Sequence, residues 1–135
     1  MTATDKVLII GGVLTLTYGA LLGYPMTFLR MRTGNPPTPR YLTVAHVGAV
    51  MQGVILLGLV WAARLSDLSS GWNLTAAWLA AASGIFIAAK DTVNWLTGVT
   101  DEFAQQAKTA PLGFAGAVTL TAALIIFIVG DFAAL

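Results

Sequence analysis

Residues 41–63 read YLTVAHVGAVMQGVILLGLVWAA. At 1.5 Å per residue such a run is long enough to cross the roughly 30 Å hydrocarbon core of a bilayer. Lipid offers the backbone no hydrogen-bond partners, so a run of this kind is read as a membrane-spanning helix. His46, the only histidine in the chain, lies about six residues inside it, and Gln52 follows half-way along. An ionisable side chain is costly in hydrocarbon and therefore marks a candidate functional position.

Working outward, three further apolar runs have the required length, giving spans of about 6–29, 41–64, 72–97 and 111–130. The breaks between them have physical causes. From Arg30 to Arg40, Gly34, Asn35, Pro36, Pro37 and Pro39 fix backbone angles and remove donors that a helix needs. Between Leu65 and Gly71, Ser66, Asp67, Ser69 and Ser70 compete for backbone hydrogen bonds and favour caps and turns. From about Gly98 to Ala110, Asp101, Glu102, Gln105, Gln106 and Lys108 interrupt the apolar pattern. Pro111 then suits the first turn of the last helix. This third connection has the composition of a short amphipathic interfacial helix.

The spans consume nearly all of the 135 residues, so residues 1–135 are read as a single transmembrane domain. With 57% hydrophobic and 10% charged residues, no stretch remains for a separate soluble domain. The absence of cysteine excludes disulfides, thiolate metal sites, iron–sulfur clusters and covalently attached haem. A net charge of +1 spread over isolated residues forms no nucleic-acid patch. The apolar run beginning at Lys6 exceeds the core of a signal peptide and is taken as a mature span. The fold class expected is an all-α integral membrane protein, an up-down four-transmembrane-helix bundle. Gly11, Gly12, Gly19 and Gly23, with Gly48, Gly53 and Gly58, permit close helix packing. Arg30, Arg32, Arg40 and Lys108 flank the first and third loops against Lys6 and Arg64 opposite, which favours a cytoplasmic position for those loops. Both termini then lie outside.

Besides His46 and Gln52, the polar residues within the spans that bear on function are Lys90, Asp91 and Asn94. Counted from the first-loop end, His46 is about 9 Å deep and Gln52 about 18 Å. The antiparallel third helix puts Asn94 about 10 Å and Asp91 about 15 Å from the same face. A shared cavity in that half of the membrane is expected. Lysine or aspartate at a helix centre costs on the order of 2.5–3.5 kcal/mol to insert. Adjacent on a helix, Lys90 and Asp91 point about 100° apart and need not pair. A purely packing role would have Lys90 snorkel and Asp91 bond Gln52 or His46. Trp61, Trp72, Trp78 and Trp95 read as interfacial anchors, with Tyr24 and Tyr41.

One histidine and one carboxylate fall short of the three ligands of a catalytic zinc site. Serine–histidine catalysis has no serine at the depth of His46; Ser83 lies nearer the opposite face. Haem b requires a single protein ligand, an apolar slot and cations for its propionates. His46 can supply the ligand, with Arg30, Arg32 and Arg40 at the correct end. The residues alone equally admit a proton-coupled carrier or channel using Lys90, Asp91 and His46 as relay groups, and an accessory subunit whose polar residues organise assembly.

The segment Ala45-His46-Val47-Gly48-Ala49-Val50-Met51-Gln52-Gly53 resembles the haem-ligand helix of styrene oxide isomerases, where a histidine is followed six residues later by a side-chain amide and glycine. Asp91 and Asn94 resemble an acidic residue and an asparagine of the next helix in that family. The resemblance covers the second and third spans and the four-span layout. It implies a homotrimer carrying non-covalent haem b, with His46 as axial iron ligand and Arg30, Arg32 and Arg40 binding the cofactor. The ferric iron acts there as a Lewis acid on an epoxide of a small apolar substrate, and a hydride shift gives the carbonyl compound without net redox. Gln52, Asp91 and Asn94 would be the catalytic residues. A bacterial inner or plasma membrane is the expected location. The family's third-helix tyrosine has no counterpart: Thr97 and Gly98 occupy that region, and Tyr18 and Tyr24 are on the first span.

Overall fold

The computed structural model describes residues 1–33 and 38–135; Gly34, Asn35, Pro36 and Pro37 of the expected first break lie outside the described residues. Four helices follow in order, α1 (Ala3–Thr33), α2 (Arg40–Leu65), α3 (Ser70–Leu96) and α4 (Ala110–Ala133). Each is long and apolar enough to cross a membrane, and no strand occurs among the described residues. Each expected span therefore falls on one helix, with ends displaced by a few residues. The largest extension is in α1, which carries Arg30 and Arg32 in its last turn and runs through Pro25. Proline is accommodated in membrane helices because side chains and neighbouring helices compensate the lost bond.

The helix ends are tied at two levels. At the terminal end, Arg64 Nε of α2 meets Asp5 Oδ1 of α1 at 3.3 Å, and Asp67 N–H donates to Gly130 O of α4 at 3.1 Å. At the loop end, Arg40 Nη1 donates to Thr100 O at 2.9 Å, and the Tyr41 hydroxyl accepts Glu102 N–H at 3.2 Å. The start of α2 and the third connection thus share one end. Every helix packs on its successor, as short connections require, and α1 also packs on α3. Among the described residues α1 and α4 do not meet, so α2 and α3 form the centre and α1 and α4 flank them.

The closest seam is between α1 and α2, where glycines matter unequally. A Cβ on Gly53 would fall 2.5 Å from Leu16 Cγ and 2.9 Å from Gly12 O. Backbone thus lies against backbone at this crossing, the packing that small residues allow in membranes. Gly58 has nothing within reach and plays no part in it. Toward the terminal end the core is dry: Leu8, Leu56, Leu59, Val60, three alanines of α3, Ala123 and Phe127. Toward the loop end a smaller cluster contains Leu22, Leu42 and Ala45, with Tyr18 and Trp95 against it.

The expected interfacial helix after α3 is absent. Residues 98–109 form turns instead. The Asp101 carboxylate accepts the N–H groups of Phe103 and Ala104 at 3.0 Å each, and Gln106 has φ +47°, which a continuing right-handed helix does not allow. The two backbone donors hold the Asp101 carboxyl below the ordinary carboxylate range.

Candidate functional site

His46 stands near the start of α2, half-buried, with its ring turned toward α1. Its Nδ1 is 2.7 Å from Gly19 O. A carbonyl oxygen can only accept, so Nδ1 carries the hydrogen and Nε2 of the neutral ring keeps its lone pair. No described residue hydrogen-bonds to Nε2. The contact exists because α1 comes so near: a Cβ on Gly19 would lie 3.1 Å from Val50 N and 2.8 Å from Val50 Cγ2. One turn further on, a Cβ at Gly23 would sit 3.6 Å from His46 Cε1. Gly19 thus sets the close approach of the helices, and Gly23 lies against the edge of the imidazole. A ring fixed through Nδ1 by a backbone carbonyl, with Nε2 available, is the arrangement that metal-ligating histidines adopt.

Gln52 follows His46 by six residues, a rotation of about 240° round the helix, and faces α3 instead. It is buried, and its Nε2 donates to Ser83 Oγ at 2.9 Å. Asp91 makes no bond with either Gln52 or His46. The cavity expected to gather His46, Gln52, Lys90, Asp91 and Asn94 is replaced by three neighbouring groupings. His46 lies on the α1–α2 seam, Gln52 on the α2–α3 seam, and the remaining three lie where α3 meets the third connection.

That third grouping is a connected polar network. Lys90 Nζ donates to Glu102 Oε2 at 2.9 Å and lies 3.1 Å from Asp91 Oδ1, so the adjacent pair does approach despite its divergent directions along the helix. Asn94 Nδ2 also donates to Glu102 Oε2, at 3.2 Å, and Asn94 Oδ1 accepts the Thr109 hydroxyl. The lysine stem lies over Gly113 of α4, where a Cβ would be 2.9 Å from Lys90 Cδ. Lys90 thus snorkels toward the loop end, as a long cationic side chain in lipid should. There it finds a built-in carboxylate.

Arg30, Arg32 and Arg40 are all at this end. Arg30 and Arg32 lie in the last turn of α1, and Arg32 stacks on Phe28 at 5.2 Å from the ring centroid. Arg40, bonded to Thr100 O, lies 5.8 Å from the centroid of Tyr41. It precedes His46 by six residues, a rise of about 9 Å.

Sequence reasoning passed over Glu102, Thr109 and Ser83 as partners. Only Glu102 left a signal, a lone glutamate in a connection too short to carry a charge far from α3. The carbonyl of Gly19 left none. Comparison with protein-family models, curated proteins and solved structures finds no match.

Proposed function

We propose that this chain is a membrane-embedded haem b protein, resembling the epoxide isomerases, with His46 Nε2 as the axial iron ligand. The observation that carries the reading is the His46 ring itself: Nδ1 committed to Gly19 O and Nε2 without a described partner, on a seam where Gly19 lets α1 come close to α2. These residues fit a haem ligand. A histidine whose two nitrogens were both consumed by helix packing would not. Arg30, Arg32 and Arg40 lie at the end of the bundle where they would hold the propionates. Haem bound there would supply a ferric Lewis acid with an open coordination position, suited to rearranging a small apolar epoxide to a carbonyl compound without net redox.

The chain's own residues have separable tasks. Gly19 O fixes the tautomer and direction of the ligand and raises its basicity. The apolar flanks of α1 and α2 exclude water, which would divert an opened epoxide to a diol. Gln52 is assigned to orienting the substrate oxygen; it donates to Ser83, and no described residue donates to its Oε1. Asp91 and Asn94 shape the site from α3. The exposed apolar surfaces of α1 and α4, including Leu14, Leu21, Phe114, Ile125 and Phe132, are assigned to lipid and to the subunit contacts of a homotrimer. Up-down helix order, cytoplasmic first and third loops and a bacterial inner membrane complete the reading.

The test is the absorption spectrum of protein purified from haem-supplemented cells. A Soret band is expected that disappears in His46→Ala. Colourless protein, or a band unchanged by that substitution, defeats the proposal.

A further inference from the structure

The network at the loop end of α3 contains two carboxyl groups and one ammonium, one acid more than its cation balances. Asp91 retains only 2% of its surface, and the one group close to its carboxyl is the Lys90 ammonium, which it shares with Glu102. Lys90 Nζ lies 3.1 Å from Oδ1, an ion-pair distance without hydrogen-bond alignment, while it donates to Glu102 Oε2 at 2.9 Å. A buried carboxylate normally collects two or three aligned donors, and one left with a single shared cation is held at a high cost in low-dielectric surroundings.

Among the described residues no second cation pairs with Asp91, and Lys108 of the third connection is exposed. Helix α2 presents Gly48, where a Cβ would be 3.7 Å from Asp91 Oδ2. The Tyr41 hydroxyl, also of α2, is engaged with Glu102 N–H, and His46 is turned away to Gly19. Helix α4 contributes Gly113 beneath the Lys90 stem. The Tyr18 hydroxyl of α1 bonds Thr92. In the third connection, Asp101 is committed to its own turn, and Arg40 is committed to Thr100 O.

We infer that Lys90, Asp91 and Glu102 form a proton-binding site, in which Asp91 carries one exchangeable proton while Lys90 and Glu102 remain charged. The step is a simple transfer: a proton from water at the loop face bonds to an Asp91 oxygen, no other covalent bond changes, and the cluster becomes neutral. Losing that proton gives Lys90 two competing carboxylates. Its ammonium is then drawn from Glu102 toward Asp91, which loosens the tie between α3 and the third connection. Proton occupancy is thereby coupled to that connection's attachment. The inference is independent of the haem reading and is tested alike on colourless or coloured protein.

Infrared spectroscopy of the full chain in lipid bilayers tests it through the carbonyl stretch of a protonated carboxyl, a band that carboxylates lack. The wild-type chain at neutral pH should show the band, and it should fade as pH rises. Glu102 is the only glutamate, so isotopic labelling separates the two candidates. The band should move to lower frequency with carboxyl-labelled aspartate and stay in place with labelled glutamate. Asp91→Asn should abolish it, while Asp131→Asn, which replaces another buried aspartate oxygen without a partner, should leave it. No band at neutral pH, a shift with labelled glutamate, or loss on Asp131→Asn overturns the inference even where Asp91→Asn fails to fold.

Discussion

The two halves of this bundle solve opposite problems with the same four helices. The terminal half has the larger apolar core, built from Leu8, Leu56, Val60, Ala76, Ala80, Ala123 and Phe127, with Asp5 and Arg64 paired at the rim and Asn73 and Asp131 as its buried polar exceptions. The loop half has a smaller apolar cluster and holds His46, Lys90, Asp91, Asn94 and Glu102 at depth. Each centrally placed Lys or Asp costs on the order of 2.5–3.5 kcal/mol to insert. The terminal half and the Gly12–Gly53 seam offset that cost and hold the polar half in register. The polar network and the larger apolar core thus lie toward opposite ends of the bundle.

Cutting the polar half should have the largest effect. Lys90→Ala removes the cation between the buried Asp91 and the part-buried Glu102, and breaking a buried pair costs about 3–5 kcal/mol. Thermal unfolding in detergent should show a large drop, partly recovered by the double variant with Glu102→Gln; equal stability of Lys90→Ala and wild type would dissolve the distinction between the halves. Gly53→Leu attacks the seam. With a Cβ already 2.5 Å from Leu16 Cγ, overpacking costs about 3 kcal/mol or more, seen as loss of monodisperse protein on size exclusion. Phe127→Ala sharpens the contrast in the other direction. It should lower the unfolding temperature through a cavity in the terminal half while the Soret band of the folded fraction stays in place; a displaced band would mean that the two halves are coupled.

Smaller effects are expected from single polar contacts. Gln52→Ala leaves the Ser83 hydroxyl without its partner, and interhelical hydrogen bonds in membranes average about 0.6 kcal/mol. Stability should fall slightly; the proposed chemistry should fall far more, measured as epoxide turnover against haem content. Asp101 gives the smallest term. Its carboxyl is held low by Phe103 and Ala104, so its stabilisation of the turn is present above the unfolded pKa of about 3.9 and is lost as pH falls through the lower folded value. Amide exchange at Ala104 should accelerate over that acid range after correction for intrinsic pH dependence, and Asp101→Asn should remove the acid step.

The four spans were legible because a bilayer leaves the backbone no alternative to internal bonding, and continuous apolar length reports that directly. The polar residues of the site were legible as costly exceptions. Their partners were not. His46 depends on Gly19 O, a backbone atom 27 residues away whose position is set by how tightly two helices cross. Lys90 depends on Glu102, placed by a left-handed residue and an aspartate turn where the composition read as helix. Gly53, read as part of a ligand motif, also has a packing task against Leu16 that accounts for its lack of a side chain.

On the proposed reading His46 Nε2 would hold a bound haem iron, and no second protein group would do so. Resonance Raman spectroscopy of the chemically reduced, haem-loaded protein reads both features at once. An iron–histidine stretching band, seen only for five-coordinate ferrous haem with a histidine ligand, is predicted for the wild type and should be lost in His46→Ala. A six-coordinate spectrum, or no such band in haem-loaded wild-type protein, contradicts the claim.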